Sequence, residues 1–161
     1  MNIRELTVSD IPWVESLEAE HFGSPRVVSR GVLQHDARDS PGLIAKVDSR
    51  LAGILQYHTE GSQWEVLVLI SLIRGQGIGR KLLEAAQDKA RQDGCEILWL
   101  ITTNNNRGAQ EFYRAIGWRQ AGVHRGAVGE ARKSKPEIPE LDAQGTPIED
   151  EIECGLRISG G

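Results

Sequence analysis

Cysteine is scarce in this chain: two in 161 residues, Cys95 and Cys154. Cys95 and Cys154 show no metal-ligand spacing, which leaves buried free thiols or a disulfide, the first being the expectation. No metal site is expected. Long apolar runs are missing too. No window approaches the roughly 18 consecutive apolar residues of a membrane-spanning helix. The N-terminus, Met1-Asn2-Ile3-Arg4-Glu5, is charged. The expected setting is cytoplasmic, with no membrane partner. Positive charge is not in excess: the net charge is −4 and the pI near 5.6. That balance argues against general nucleic-acid binding, which needs a basic surface. Neither an internal repeat nor a low-complexity tract is present. What remains, 39% apolar and 26% charged residues, has the composition of a globular protein. A single domain spanning 1–161 is expected, long enough for its own core.

The chain is organised around Arg74-Gly75-Gln76-Gly77-Ile78-Gly79. An apolar run from Trp64 to Ile73 leads into this stretch, and an amphipathic segment from Arg80 to Asp93 leads out. Glycines let a backbone turn tightly and approach a ligand closely, because no Cβ intervenes. A helix starting near Gly77 offers unpartnered amides and the positive end of its dipole. Strand, glycine turn and helix N-terminus together make an anion site, most often for phosphate. Arg74, Arg80 and Lys81 add positive charge around it.

Around that centre the pattern predicts a first strand over Ile3–Val8. A helix follows, capped by Ser9 or Asp10, with Val14, Leu17, Glu18 and His21 on one face and a stop at Phe22-Gly23-Ser24-Pro25. A short second helix is expected from Ser29 to Gln34. Leu43–Val47 and Leu51–Tyr57 read as a hairpin joined by Asp48-Ser49-Arg50. Trp64–Ile70 is apolar on both faces apart from Glu65, as a strand inside a sheet reads. Ile78, Leu82, Ala86 and Ala90 form a helical stripe, and Ile97–Ile101 is a second buried strand. The resulting βαβ unit calls for parallel strands and a right-handed crossover. Ala109, Phe112, Tyr113 and Ile116 mark another helical face, closed by Gly117. Trp118–His124 is expected as a strand. A short helix near Ala127–Lys133, an ordered excursion to Asp150 and a half-buried last strand complete the chain. In that strand Ile152, Cys154, Leu156 and Ile158 face the core, and Glu151, Glu153 and Arg157 face water.

Two familiar phosphate motifs do not fit the glycine stretch. The P-loop needs four residues between its glycines and then Lys-Ser or Lys-Thr, where this chain has Arg80-Lys81-Leu82. A dinucleotide motif starting at Gly75 needs glycine where Arg80 stands, and belongs after a first strand, not mid-chain. Arg-x-x-Gly-x-Gly remains, on Arg74, Gly77 and Gly79. About 30 residues later comes Asn106-x-x-Ala109-x-x-Phe112-Tyr113-x-x-x-Gly117-Trp118. In this order the two stretches resemble the GNAT family of N-acetyltransferases, and the likeness covers nearly the whole chain.

The resemblance implies a single-domain α/β fold. Its central mixed sheet has about six to seven strands, flanked by about four helices, two of them early. Its two central parallel strands, Trp64–Leu72 and Ile97–Thr102, splay apart. It implies acetyl-CoA as co-substrate, with the pyrophosphate held at Gln76, Gly77, Gly79 and Arg80 and with Arg74 at the loop's start. The pantetheine arm would pair near Leu69, whose neighbourhood supplies an amide to the thioester carbonyl. Tyr113 matches the family's acid that protonates the leaving thiolate; read from its residues alone, it is equally a core tyrosine. Asn106 caps its helix, touches the cofactor, or does both. Glu65 is the one carboxylate in a buried strand: either the base that takes the amine's proton, or a strand-end carboxylate facing solvent, with a water chain in its place.

Two departures from the family stand out. Ser71-Leu72-Ile73 replaces a stretch that often holds proline, and Trp118 replaces phenylalanine. The acceptor, a small-molecule or peptide amine, has no motif. Asp36, Asp39 and Glu60 read as ordinary surface carboxylates, and His21, His35, His58 and His124 as surface or packing residues. The excursion 126–150 covers the acceptor site or a homodimer contact. Two other functions stay in play: a non-catalytic acyl-CoA-binding module, and a toxin-type acetyltransferase of charged tRNA, which the acidic balance disfavours.

Overall fold

A computed structural model describes residues 1–22, 26–31 and 33–158. The chain begins with β1 (Asn2–Glu5), a 3-10 turn at Val8–Asp10 and α1 (Ile11–Phe22). Thr7 stands at the N-cap of that turn, and the Asp10 carboxylate accepts the Thr7 amide at 2.8 Å. Arg4 closes a fork on Asp10 with two bonds of 2.8 Å, tying β1 to the start of α1. That guanidinium holds the Asp10 carboxyl well below the usual range.

The expected helix over Ser29–Gln34 is absent. A hairpin of β2 (Arg26–Ser29) and β3 (Leu33–Asp36) stands there instead. Val27 and Val28 are β-branched, and such side chains suit strands. Arg30 and Gly31 then take φ of 50° and 75°, left-handed values at which no right-handed helix continues. Among the described residues, α1 is therefore the one α-helix before β4, where the resemblance implied two. The expected stop of α1 at Gly23-Ser24-Pro25 lies outside the described residues.

β4 (Gly42–Val47) and β5 (Arg50–Glu60) form the predicted hairpin. Its turn residues Asp48 and Ser49 both have positive φ, 49° and 65°, which matches the right-handed twist of the flanking strands. β6 (Gln63–Ser71) follows, then α2 (Ile78–Gln92), β7 (Ile97–Thr103), α3 (Arg107–Ala115), β8 (Arg119–His124), α4 (Ala127–Arg132) and β9 (Glu151–Arg157). Among the described residues the architecture is α/β: four α-helices and a seven-stranded mixed sheet ordered β1-β4-β5-β6-β7-β9-β8, with β2-β3 as a separate pair.

Contacts divide the chain into two compact units. In the first, residues 1–25, 36–98 and 157–161, α2 lies on β4, β5 and β6. Its stripe of Ile78, Leu82, Leu83, Ala86 and Ala90 is buried as the periodicity predicts. Burying each Leu or Ile side chain contributes about 1.5–3 kcal/mol. Gly53 on β5 permits the close approach: a Cβ there would stand 2.8 Å from both Ile70 O and Ile78 Cγ2. α2 stops at Asp93-Gly94 as expected. Gly94 (φ 78°) donates to Arg91 O and Cys95 to Ala90 O, the paired bonds of a Schellman motif. β5 and β6 pair antiparallel with one extra residue, Leu67, on β6, because Gln56 faces Val68 while Tyr57 faces Val66.

The second unit holds residues 26–35 and 99–156. Here β8 and β9 pair antiparallel, and the stretch after α4 is ordered without regular structure. Arg132 donates to the carbonyls of Ile138, Pro139 and Ile148. Asn104 binds Pro147 O and accepts the amides of Glu149 and Asp150. One expectation for β9 fails: Glu151, assigned to the solvent face, is buried. Its oxygens accept the amides of Arg30 and Gly31 at 2.7 and 3.1 Å, so the β2–β3 turn covers it. Cys95 and Cys154 are free and buried.

Candidate active site

In the first unit, β6 ends at Ser71, and the Leu72 amide donates to Ala52 O at 2.8 Å. Ser71 Oγ donates to Ile73 O, so the strand exit is built without proline. Arg74 through Gly77 are exposed. Gly75 and Gly77 have φ of 79° and 67°, where a side chain is strained. A Cβ on either would meet nothing within 4 Å, so both faces are open to a ligand.

Gly77 is the N-cap of α2, and the first helical bond runs from the Lys81 amide to Gly77 O at 3.0 Å. The amides of Ile78, Gly79 and Arg80 precede it and have no i−4 acceptor within the helix. The N-terminus of a 15-residue helix thus points donors and positive potential at an exposed glycine turn. Arg80 turns its guanidinium to Glu84 at 3.1 Å, leaving its amide as its contribution to the turn. This geometry fits an anionic group such as a pyrophosphate.

On β6 in the same unit, Glu65 is buried at 3% exposure, which decides against the solvent-facing alternative. His58 is its cross-strand partner. Leu67 and Leu69 are half-buried, whereas Trp64, Val66, Val68 and Ile70 are core. Asp36 is engaged locally, accepting the Arg38 guanidinium at 2.6–3.2 Å.

In the second unit, Asn106 caps α3, its Oδ1 accepting the Ala109 amide at 3.1 Å. Removing the cap with Asn106→Ala is expected to cost about 1 kcal/mol, read as a lower Tm in thermal unfolding. Tyr113 is half-buried on the inner face of α3. Its ring packs edge-on to Phe112 at 5.3 Å and tilted to Trp118 at 5.8 Å. Gly117, at φ 99°, turns the chain so that the Trp118 amide donates to Tyr113 O at 2.9 Å. Burial pushes the Tyr113 phenol up to about 12, with the Cys154 thiol adding to it. The group therefore carries its proton throughout the neutral range.

One cluster in this unit escaped the sequence reading. Arg30 donates to both oxygens of Glu153 at 2.9 and 3.2 Å and lies 3.8 Å over the Trp99 ring. His124 Nε2 is 3.0 Å from Glu153 Oε1. Its members, Arg30, Trp99, His124 and Glu153, come from four distant stretches, and no local pattern marks them.

The family model described as the acetyltransferase (GNAT) family matches residues 7–118, well over half the chain. The chain belongs to the GNAT acetyltransferase family. GNAT members are acyl-CoA-dependent N-acyltransferases, and this chain is an enzyme of that class. It is 39% identical to the uncharacterized protein YdhI of Bacillus subtilis (strain 168) over 136 residues, 83% of this chain and 84% of that one. In fold it is similar to the IAA acetyltransferase from Bacillus cereus ATCC 14579 (TM-score 0.72, 20% identity, 97% and 98% of the two chains). It is also similar to a GNAT family acetyltransferase from Elizabethkingia anophelis with acetyl-CoA bound (TM-score 0.70, 18% identity, 97% of each chain).

Within the GNAT frame, Trp118 is the aromatic plug that its position after Gly117 suggested, exposed only 2%. No helix among the described residues is long and apolar enough to cross a membrane.

Proposed function

We propose that this GNAT enzyme transfers acetyl from acetyl-CoA to a primary amine by direct attack in a ternary complex, with residues 1–161 acting as one catalytic domain. The observation that carries the reading is the open glycine turn at the N-terminus of α2, with Gly75 and Gly77 in left-handed conformations. The amides of Gln76, Gly77, Gly79 and Arg80 and the charge of Arg74 hold the pyrophosphate. Acetyl-CoA supplies an activated thioester when bound, and a fold neighbour from Elizabethkingia anophelis is described with acetyl-CoA bound.

The backbone near Leu69 orients the pantetheine arm and donates to the carbonyl oxygen as charge develops on it. The amine nitrogen bonds to the carbonyl carbon, and the carbon–sulfur bond breaks. Glu65, the buried carboxylate of β6, takes the amine's proton. The Tyr113 hydroxyl gives its proton to the leaving sulfur. Asn106 holds the N-terminus of the helix that carries Tyr113.

Free-thiol release from acetyl-CoA across a panel of amines, peptides and aminated antibiotics tests the reading. Gly77→Val adds the cost of a left-handed β-branched residue and fills the open face. It is expected to raise KM for acetyl-CoA about tenfold or more, in line with a penalty of about 1–2 kcal/mol. Thiol release by no amine, with coenzyme A still bound in calorimetry, would favour a non-catalytic acyl-CoA-binding module.

A further inference from the structure

Gly117, at φ 99°, turns the chain between α3 and β8, and the turn brings Arg114 and Arg119 to one cavity of about 220 Å³. Gln110 of α3, Trp118, Gln120 of β8 and Cys154 of β9 also line it. All of these residues belong to the second unit, whereas the glycine turn belongs to the first. No acidic residue is among the lining.

Two needs are unmet around this cavity. Trp118 is exposed only 2%, and its indole nitrogen is buried with no acceptor among the described residues. Native structures normally satisfy such a donor with protein, water or an ion, because leaving it unmet is destabilising. The second need is charge. Neither Arg114 nor Arg119 makes a side-chain hydrogen bond or ion pair with a described residue. Elsewhere in the chain Arg4 and Arg38 each fork onto a carboxylate. With 23 acidic against 19 basic residues, carboxylates are not in short supply, yet none lines this cavity.

We propose that the cavity is a binding site for a small phosphate dianion, free phosphate or a phosphate monoester, gripped by Arg114 and Arg119 and accepting the Trp118 indole N–H. A water molecule would meet the indole and leave two positive charges uncompensated. Guanidinium forks match oxyanions with paired N–H bonds, and two of them balance a dianion. The two forks approach from different elements, one from α3 and one from β8. A tetrahedral phosphate offers oxygens in several directions at once, whereas a carboxylate offers two in one plane. Both arginines are exposed, so the ligand enters from solvent.

The walls are held in place before a ligand arrives. Gln110 Nε2 donates to Thr103 O at 3.0 Å and to Asn104 O at 3.3 Å, fixing α3 against the end of β7. Trp118 and Cys154 also flank Tyr113, by ring packing at 5.8 Å and by the thiol's effect on the phenol. An occupant therefore shares two walls with the proposed acid, although the site itself does not depend on acetyl transfer.

Sodium phosphate, titrated into the full chain at constant ionic strength, is the probe, and the Trp118 indole N–H resonance in NMR is the readout. A downfield shift along a saturating curve is expected, with a dissociation constant in the millimolar range. Arg114→Gln and Arg119→Gln are each expected to weaken phosphate about tenfold or more, the effect of one charged hydrogen-bonding partner. Both residues are exposed, so the variants should fold. Arg107→Gln removes an exposed arginine of the same helix that does not line the cavity, and it is expected to match the parent. Succinate is expected to bind several-fold more weakly than phosphate.

Absence of a saturating shift overturns the proposal. So does an equal loss in Arg107→Gln, which would reduce the effect to general surface charge, and so does succinate binding as well as phosphate. Saturating coenzyme A is expected to leave the phosphate curve in place. Competition between the two would make the cavity part of the cofactor site and overturn a separate one. None of these readouts involves turnover, so failure of the acetyltransferase reading and failure of this one are seen separately.

Discussion

Tyr113→Phe is expected to lower kcat about 10²–10⁴-fold, the range for a positioned general acid, with little change in coenzyme A affinity. The substitution deletes one oxygen and keeps the ring that packs against Phe112 and Trp118, so the helix and its cap should persist. Stopped-turnover thiol release and calorimetry of coenzyme A binding check the two halves of the statement. Equal turnover by the mutant would make Tyr113 a packing residue.

The pH dependence is specific as well. With the phenol pushed up to about 12, no fall in kcat from loss of its proton is expected up to about pH 11. The raised value also has a sign for stability. The folded state holds this proton more tightly than the unfolded chain, whose tyrosine titrates near 10. That contribution is complete below about pH 10 and is lost as pH rises towards 12.

Glu65→Gln is expected to lower kcat/KM about 10²-fold or more near pH 7.5, with the deficit shrinking towards pH 10. A primary amine titrates near 10.4, so at neutral pH nearly all of it must surrender a proton before attack, whereas near pH 10 roughly a quarter is already free base. A base is therefore most valuable at neutral pH. A pH–rate series on parent and mutant with one amine decides the matter. A loss of the same size at every pH would mean that Glu65 shapes the strand and that water carries the proton. Its 3% exposure and the extra residue Leu67 two positions on set it apart from a plain strand-end carboxylate.

Much of the site could be read along the chain because its parts are local. A glycine turn needs positive φ within a few residues, and Gly75 and Gly77 supply it. An amphipathic helix shows its inner face by spacing, as Ile78, Leu82, Ala86 and Ala90 do. An asparagine three residues before the amide that it receives can be recognised as a cap, and Asn106 with Ala109 is one. The early helix over Ser29–Gln34 failed for the complementary reason. Its residues form a hairpin whose turn amides are satisfied by Glu151, about 120 positions away, and no local window contains that partner. Glu151 and Glu153 alternate with apolar residues and so read as solvent-facing. The hairpin turn over Glu151 reverses that for the first, and Arg30 pairs with the second.

The sequence by itself determined the donor side of the chemistry: a glycine turn entering α2, a tyrosine helix after β7, and a family that joins the two. These follow from conformational preference and periodicity, which act over fewer than ten residues and leave a linear trace. The tertiary structure alone decided that Glu65 is buried, that the β2–β3 hairpin is pinned on β9, and that Arg30, Trp99 and Glu153 meet. Burial and long-range pairing depend on which distant segment covers a residue. That choice belongs to the packing of the whole chain, and its residues carry no mark of it where they stand in line.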